Sequence, residues 1–267
     1  MKSKLTFFLG LILLGVAVFC GVQFFLDVYS PTNVQTEQYG PAPVAVPTGD
    51  GDLNPVTGQL PDTVEAPEEG EQVLAVDFDA LQALNPDIYA WIEIPGTDIS
   101  YPVVQNAYND GYYLRTNSDG NYSAGGAIFS EATYNGTDFN DPVTILYGHH
   151  MNAGNLMFGH LQDYYSDPEF LASDTHIRIY TREGMHEYAV FAAVPFNRNH
   201  ILYYNDMQDP YVFSTFFDSV MDIRELGAYI NEDNAPADPS ADRVLILSTC
   251  LTGNNTRRFL VMATLVA

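Results

Sequence analysis

Three textures follow one another along the chain. Leu5–Leu26 is a charge-free apolar run of 22 residues; as a helix it would extend roughly 33 Å, enough to cross a bilayer. Residues 27–72 show no apolar period. They are rich in Pro, Gly, Thr, Asp and Glu, as in Pro41-Ala42-Pro43 and Glu68-Glu69-Gly70-Glu71, which predicts an extended, charged and flexible stalk. Residues 73–267 break into short apolar runs separated by turn residues. Phe78–Leu84 predicts a short helix with Asp77 as its cap. Strands are predicted at Ala90–Ile94, which stops at the turn Pro95-Gly96, and at Ser100–Val104, Ala127–Phe129 and Val143–Tyr147. Two more, His176–Tyr180 and Glu187–Val194, are joined through Arg182-Glu183-Gly184; Val244–Thr249 and Phe259–Val266 complete the set. Asn155–Tyr164 carries helical spacing, and a long amphipathic helix is expected over Asp209–Ile230 with Pro210 in its first turn. Eight short strands with few helices predict a mainly β fold, a barrel or a sandwich.

Flanking charge orients the first segment. Lys2 and Lys4 precede it and Asp27 follows it, so the N-terminus is expected inside the cell and everything after Leu26 outside. The run is too long for a signal-peptide core and no Ala-x-Ala-like site follows, which favours an uncleaved anchor. The expected organisation is a cytoplasmic tip at 1–4, an anchor at 5–26, a stalk at 27–72 and one folded domain at 73–267. Apolar residues make up 46% of the chain, which excludes disorder throughout. The formal net charge is -24, and no lysine lies beyond Lys4. Such a surface repels nucleic acid and anionic headgroups. It serves solubility first, and leaves room for a cationic partner such as an amine.

Cys250 is the one cysteine outside the apolar anchor, because Cys20 lies within it. A lone thiol in an oxidising compartment is a liability unless it does chemistry. Thiols attack as thiolates, which nearby positive charge favours. If the chain turns back through Leu251–Thr256, Arg258 begins the neighbouring antiparallel strand and comes beside Cys250. There its guanidinium can stabilise an oxyanion. Arg257 falls on the opposite face and is expected at the solvated rim. His149, just past a strand end, suits general acid–base work. Ser248 and Thr249 can bind substrate through hydroxyl and backbone groups, or be ordinary strand-end polarity. His150, His160, His176, His186 and His200 are expected to be structural or surface residues. A metal site from His149, His150 and His160 lacks a completing ligand set. The oxygen-rich loops Asp119–Asn121 and Asp138–Asp141 carry no specific calcium spacing.

Together these segments resemble the sortase family, and most closely its class B. Leu247-Ser248-Thr249-Cys250 resembles the family's Thr-Leu-x-Thr-Cys signature in a serine-bearing form, Tyr147-Gly148-His149 its histidine segment, and Arg258-Phe259-Leu260-Val261 its arginine strand. Trp91–Gly96 with Tyr101-Pro102-Val103, Tyr112-Tyr113-Leu114 and Met157-Phe158 extend the likeness over residues 78–267. No lid with the Asp-Pro-aromatic motif of pilin-polymerising class C enzymes is found ahead of the first predicted strand. The resemblance implies a closed eight-stranded β-barrel with an N-terminal helix and a long helix before the cysteine strand. It implies a transpeptidase in which Cys250 attacks a carbonyl in the C-terminal sorting motif of a secreted protein, Arg258 steadies the oxyanion, and His149 protonates the departing amine. A peptidoglycan precursor amine then resolves the thioacyl enzyme. A pilin-polymerising sortase using a pilin lysine is the nearest alternative, and a cysteine protease a more distant one. No metal or organic cofactor is implied, and no nucleic-acid partner.

Overall fold

The computed structural model describes residues 45–47, 72–74, 76–151, 157–173, 176–236, 238 and 242–266. The apolar run Leu5–Leu26 lies outside them, and among the described residues no helix is long and apolar enough to cross a membrane. Two short strands, β1 (Ala45–Pro47) and β2 (Gln72–Leu74), pair antiparallel. They pair the middle of a segment whose composition suggested only a stalk with its C-terminal end.

The domain opens with α1 (Phe78–Leu84), where the Asp77 carboxylate accepts from the Ala80 N–H and satisfies one of the helix's orphan donors. Then come β3 (Ile88–Glu93), β4 (Ser100–Val104), β5 (Ile128–Phe129) and β6 (Val143–Tyr147). After two one-turn helices, α2 (Leu161–Tyr164) and α3 (Pro168–Leu171), the hairpin β7 (Ile177–Tyr180) and β8 (Met185–Phe196) follows. The last third holds α4 (Ile201–Tyr204), α5 (Pro210–Met221), β9 (Tyr229–Ile230), β10 (Val244–Leu251) and β11 (Asn254–Leu265). Strand neighbours run β11-β10-β6-β5-β4-β3-β7-β8, and β8 pairs back onto β11. The fold is therefore a closed eight-stranded barrel, with β9 an added edge on β8.

Closure explains why the strands read as continuous apolar runs. Alternate residues such as Ile92, Val103, Leu146, Ile179, Val190, Leu247 and Val261 fill the barrel. Their intervening neighbours Ile145, Val194, Ile246 and Met262 face outward, but α5 covers them with Phe213, Phe216, Phe217 and Val220. Both faces of β10 are thus dry, as in sheets packed on two sides. Fully burying each of these side chains contributes about 1.5–3 kcal/mol. A third cluster packs Phe78 and Leu81 of α1 on Ile88, Trp91 and Val104.

The helix expected over Asp209–Ile230 is shorter. Asp209 caps its start by accepting from Tyr211 and Val212 N–H groups, but it stops at Met221. There the Arg224 guanidinium donates to the Met221 and Ile223 carbonyls, and Gly227 sits at φ +82°. The remaining residues turn, so that Tyr229 and Ile230 pair with β8. The helix expected over Asn155–Tyr164 is confined to α2 among the described residues.

Candidate active site

β6 and β10 are parallel neighbours, with Tyr147 opposite Ser248. Their C-terminal ends therefore reach the same rim, which carries His149 beyond β6 and Cys250 at the end of β10. The antiparallel return of β11 sets Arg258 directly opposite Cys250, just before a register shift at Leu251. Residues paired across an antiparallel ladder share a face. In that register Arg258 Nη1 donates to Cys250 Sγ at 3.3 Å. Cys250 is a half-buried free thiol. Arg257 lies on the other face, where it makes a two-pronged ion pair with Glu225 at 2.8 and 2.7 Å.

A cavity of about 260 Å³ opens on this rim, and His149, Ser248, Thr249, Cys250 and Arg258 all border it. The alternation of β10 separates the two hydroxyl residues. Ser248 shares a face with Cys250 and Leu260, whereas Thr249 pairs with Phe259, whose ring fills the barrel. Thr249 Oγ1 is buried and has no hydrogen-bond partner among the described residues. Ser248 contributes through its backbone as well: its carbonyl accepts from the Gly148 N–H at 3.1 Å, tying the two strand ends together.

His149 is half-buried, and its Nε2 lies 2.9 Å from the Leu114 carbonyl. A carbonyl only accepts, so Nε2 carries the proton. Burial pulls the imidazole below its usual value; the Leu114 bond opposes this, and the Arg115 and Arg258 charges add to it. The resting ring is therefore neutral near pH 7. Gly148 is required for the approach. A Cβ there would stand 2.5 Å from Phe158 Cδ2 and 2.6 Å from Ile128 Cδ1.

A free thiol, a guanidinium touching it and a neutral imidazole around one cleft are groups that thiol-mediated acyl transfer can use. The family model for the sortase domain matches residues 92–266. The chain belongs to the sortase family. Sortases are cysteine transpeptidases, and the relatives point to class B. Sortase B of Listeria monocytogenes is 30% identical over 251 residues, 94% of this chain and 92% of that protein. The crystal structure of a Bacillus anthracis protein similar to sortase B superposes with TM-score 0.59 at 30% identity, covering 71% of this chain and 82% of that one. A Streptococcus pyogenes class B sortase involved in pilus biogenesis gives TM-score 0.58 at 27% identity, covering 72% of this chain and 98% of that one.

The sortase cavity holds residues that sequence reasoning passed over. Tyr147 borders it, and burial, then the charge and hydrogen bond of Glu131, push its phenol far upward, so it remains a donor. Period-two spacing from His149 was a signal for it. Glu131 and His200 also line the wall. His200, expected to be structural or on the surface, sits in a polar loop with no local pattern that marks it. The histidines do not gather: among the described residues no group of three His, Cys, Asp or Glu side chains is arranged to hold a metal ion.

Proposed function

We propose that this sortase cleaves the C-terminal sorting motif of a secreted protein through a thioacyl intermediate on Cys250, and passes the acyl group to a cell-wall peptidoglycan amine. The supporting observation is the 3.3 Å contact between Arg258 Nη1 and Cys250 Sγ, inside a cavity that His149 also borders. The Cys250 thiol proton passes to His149 as sulfur attacks the scissile carbonyl. Arg258 offers N–H groups to the tetrahedral oxyanion. His149 then returns that proton to the departing amine, leaving the thioester. An acceptor amine attacks the thioester carbonyl, its proton goes to His149, and the sulfur leaves and is reprotonated. A lowered imidazole suits both tasks. It is free base at neutral pH, and once protonated it is a stronger acid toward the leaving amine. Ser248 and Thr249 border the groove beside the nucleophile and take part in substrate binding.

Leu5–Leu26 would anchor the chain with residues 1–4 inside and the catalytic domain outside, the segment 27–72 spacing it from the membrane. A second reading, joining a pilin lysine rather than a wall amine, is supported by the likeness to the pilus-associated S. pyogenes enzyme. Mass spectrometry of the protein incubated with a sorting-peptide library tests the chemistry: an acyl adduct on Cys250, discharged by added amine, is expected. Hydrolysis indifferent to amine would indicate a protease instead. Discharge by a pilin-derived lysine peptide, but not by a peptidoglycan stem amine, would favour the second reading.

A further inference from the structure

One wall of the cavity carries a group that this chemistry does not use. Glu131, just after β5, and His200, the cap of α4, both border the cavity that holds Cys250. His200 Nε2 and Glu131 Oε2 are 2.6 Å apart, with side chains 30% and 18% exposed. The orientation of the ring is fixed. Its Nδ1 accepts the Tyr203 backbone N–H at 3.0 Å, so Nε2 carries the proton and donates to Glu131. The Tyr134 ring lies against it, with centroids 4.6 Å apart. An imidazole bonded in this way is neutral and leaves the carboxylate's charge uncancelled. A carboxylate has about four acceptor positions. His200 takes one, the Tyr147 phenol lies close enough to feel the charge, and among the described residues no other side chain donates to it. Asp110, a second carboxylate on this wall, accepts from the Thr133 N–H at 3.2 Å. Of the two cations bordering the cavity, Arg258 is engaged with Cys250 and Arg198 is exposed.

We infer that the Glu131–His200 pair is a specificity-determining subsite: the Glu131 carboxylate accepts a hydrogen bond from a substrate side chain that donates, an amide or an ammonium, at a motif residue other than the one bearing the scissile carbonyl, and disfavours a carboxylate there. His200 is the positioning residue, holding Glu131 toward the groove. This inference rests on the reading of the cavity as the sorting-motif site.

The test uses the full-length chain and peptides identical except for Gln, Lys, Glu or Leu placed in turn at each position other than the scissile one. Both kcat/KM and the acyl adduct on Cys250 are read. At one position Gln or Lys should exceed Glu by at least about tenfold, the value of one hydrogen bond to a charged acceptor, carried mainly in KM. The Gln and Lys arms separate an amide partner from an ammonium. Glu131→Gln should bring that ratio to within about threefold, because the amide has lost the charge that discriminates. An enzyme that forms the adduct yet treats the four side chains alike at every position would overturn the subsite while leaving the transpeptidase reading intact, and this arm needs no variant. A Glu131→Gln protein that keeps the wild-type ratio would also overturn it. No adduct from any peptide would overturn both.

Discussion

Gly148→Ala is a small change whose consequence can be worked from the geometry. The added methyl would meet Phe158 Cδ2 at 2.5 Å, Ile128 Cδ1 at 2.6 Å and Phe158 Cγ at 2.9 Å, where carbon pairs prefer about 3.5–4.0 Å. Neither neighbour has room to yield, because Phe158 is 0% and Ile128 1% exposed and both belong to the barrel interior. About 1 Å of separation must come from the backbone. The Phe158 N–H is bonded to the His149 carbonyl at 3.1 Å, and the Gly148 N–H to Ser248. Displacement of either partner therefore moves His149 relative to Cys250. Overpacking of this kind costs about 1–3 kcal/mol. In a domain of this size that lowers Tm by roughly 2–12 °C. Misplacing a catalytic group by about 1 Å costs on the order of a hundredfold in rate. Thermal unfolding and single-turnover acylation measure the two effects separately. Gly148→Ala should lose acylation at temperatures where it is fully folded. Adding Phe158→Leu should recover part of that loss, with coupling of about 0.5–3 kcal/mol between the sites. Wild-type Tm and wild-type acylation in Gly148→Ala would refute the argument that this glycine makes room for the histidine strand.

Cys250→Ala should form no acyl adduct. Arg258→Ala should lower acylation by roughly 10²–10³, as for loss of an oxyanion donor, and Arg258→Lys should not restore it because an ammonium lacks the planar fork; Arg257→Ala, on the opposite face, should leave most of the activity, and single-turnover assays distinguish the three. The His149 imidazole is depressed, so the free base persists as pH falls: the acidic limb of kcat/KM should lie below about 6.5, the ordinary imidazole value, and a limb above it would contradict the burial argument. Asn135 is buried, donates to the Val143 carbonyl at 2.8 Å and accepts the Ile145 N–H at 3.1 Å; Asn135→Ala leaves those β6 groups unpaired and should cost about 1–3 kcal/mol for each one left dry, read by denaturant unfolding.

How much of this could be read from sequence depends on whether the causes are local. The eight barrel strands were legible because each is a short apolar run bounded by turn residues, and closure buries both faces of several. Asp77 was legible as a cap, and Asp209-Pro210 as a helix start, because these signals act within three residues of themselves. The end of α5 was not. Apolar residues continue to Ile230, but the helix stops where Arg224 takes the terminal carbonyls and β8 offers Tyr229 and Ile230 an edge. An unpaired strand edge is a tertiary fact, and it outweighed helical periodicity.

The same distinction runs through the cavity. Cys250 and Arg258 are eight residues apart around one turn, so their pairing follows from a local hairpin. His149 reaches the rim only because β6 lies parallel to β10, a contact across a hundred residues that the motif likeness suggested and no local rule supplied. Glu131 and His200 had neither aid. They are 69 residues apart, one just after β5 and the other capping α4 after β8, and they meet in a barrel closed by the pairing of β8 with β11. The chemistry common to acyl transfer thus sits at strand ends, where sequence patterns reach it. The groups with spare capacity to choose among substrates sit on the loops that vary around the rim. If Glu131 and His200 select as inferred, exchanging the Asn197–His200 loop should alter which peptides are accepted before it alters whether Cys250 can be acylated.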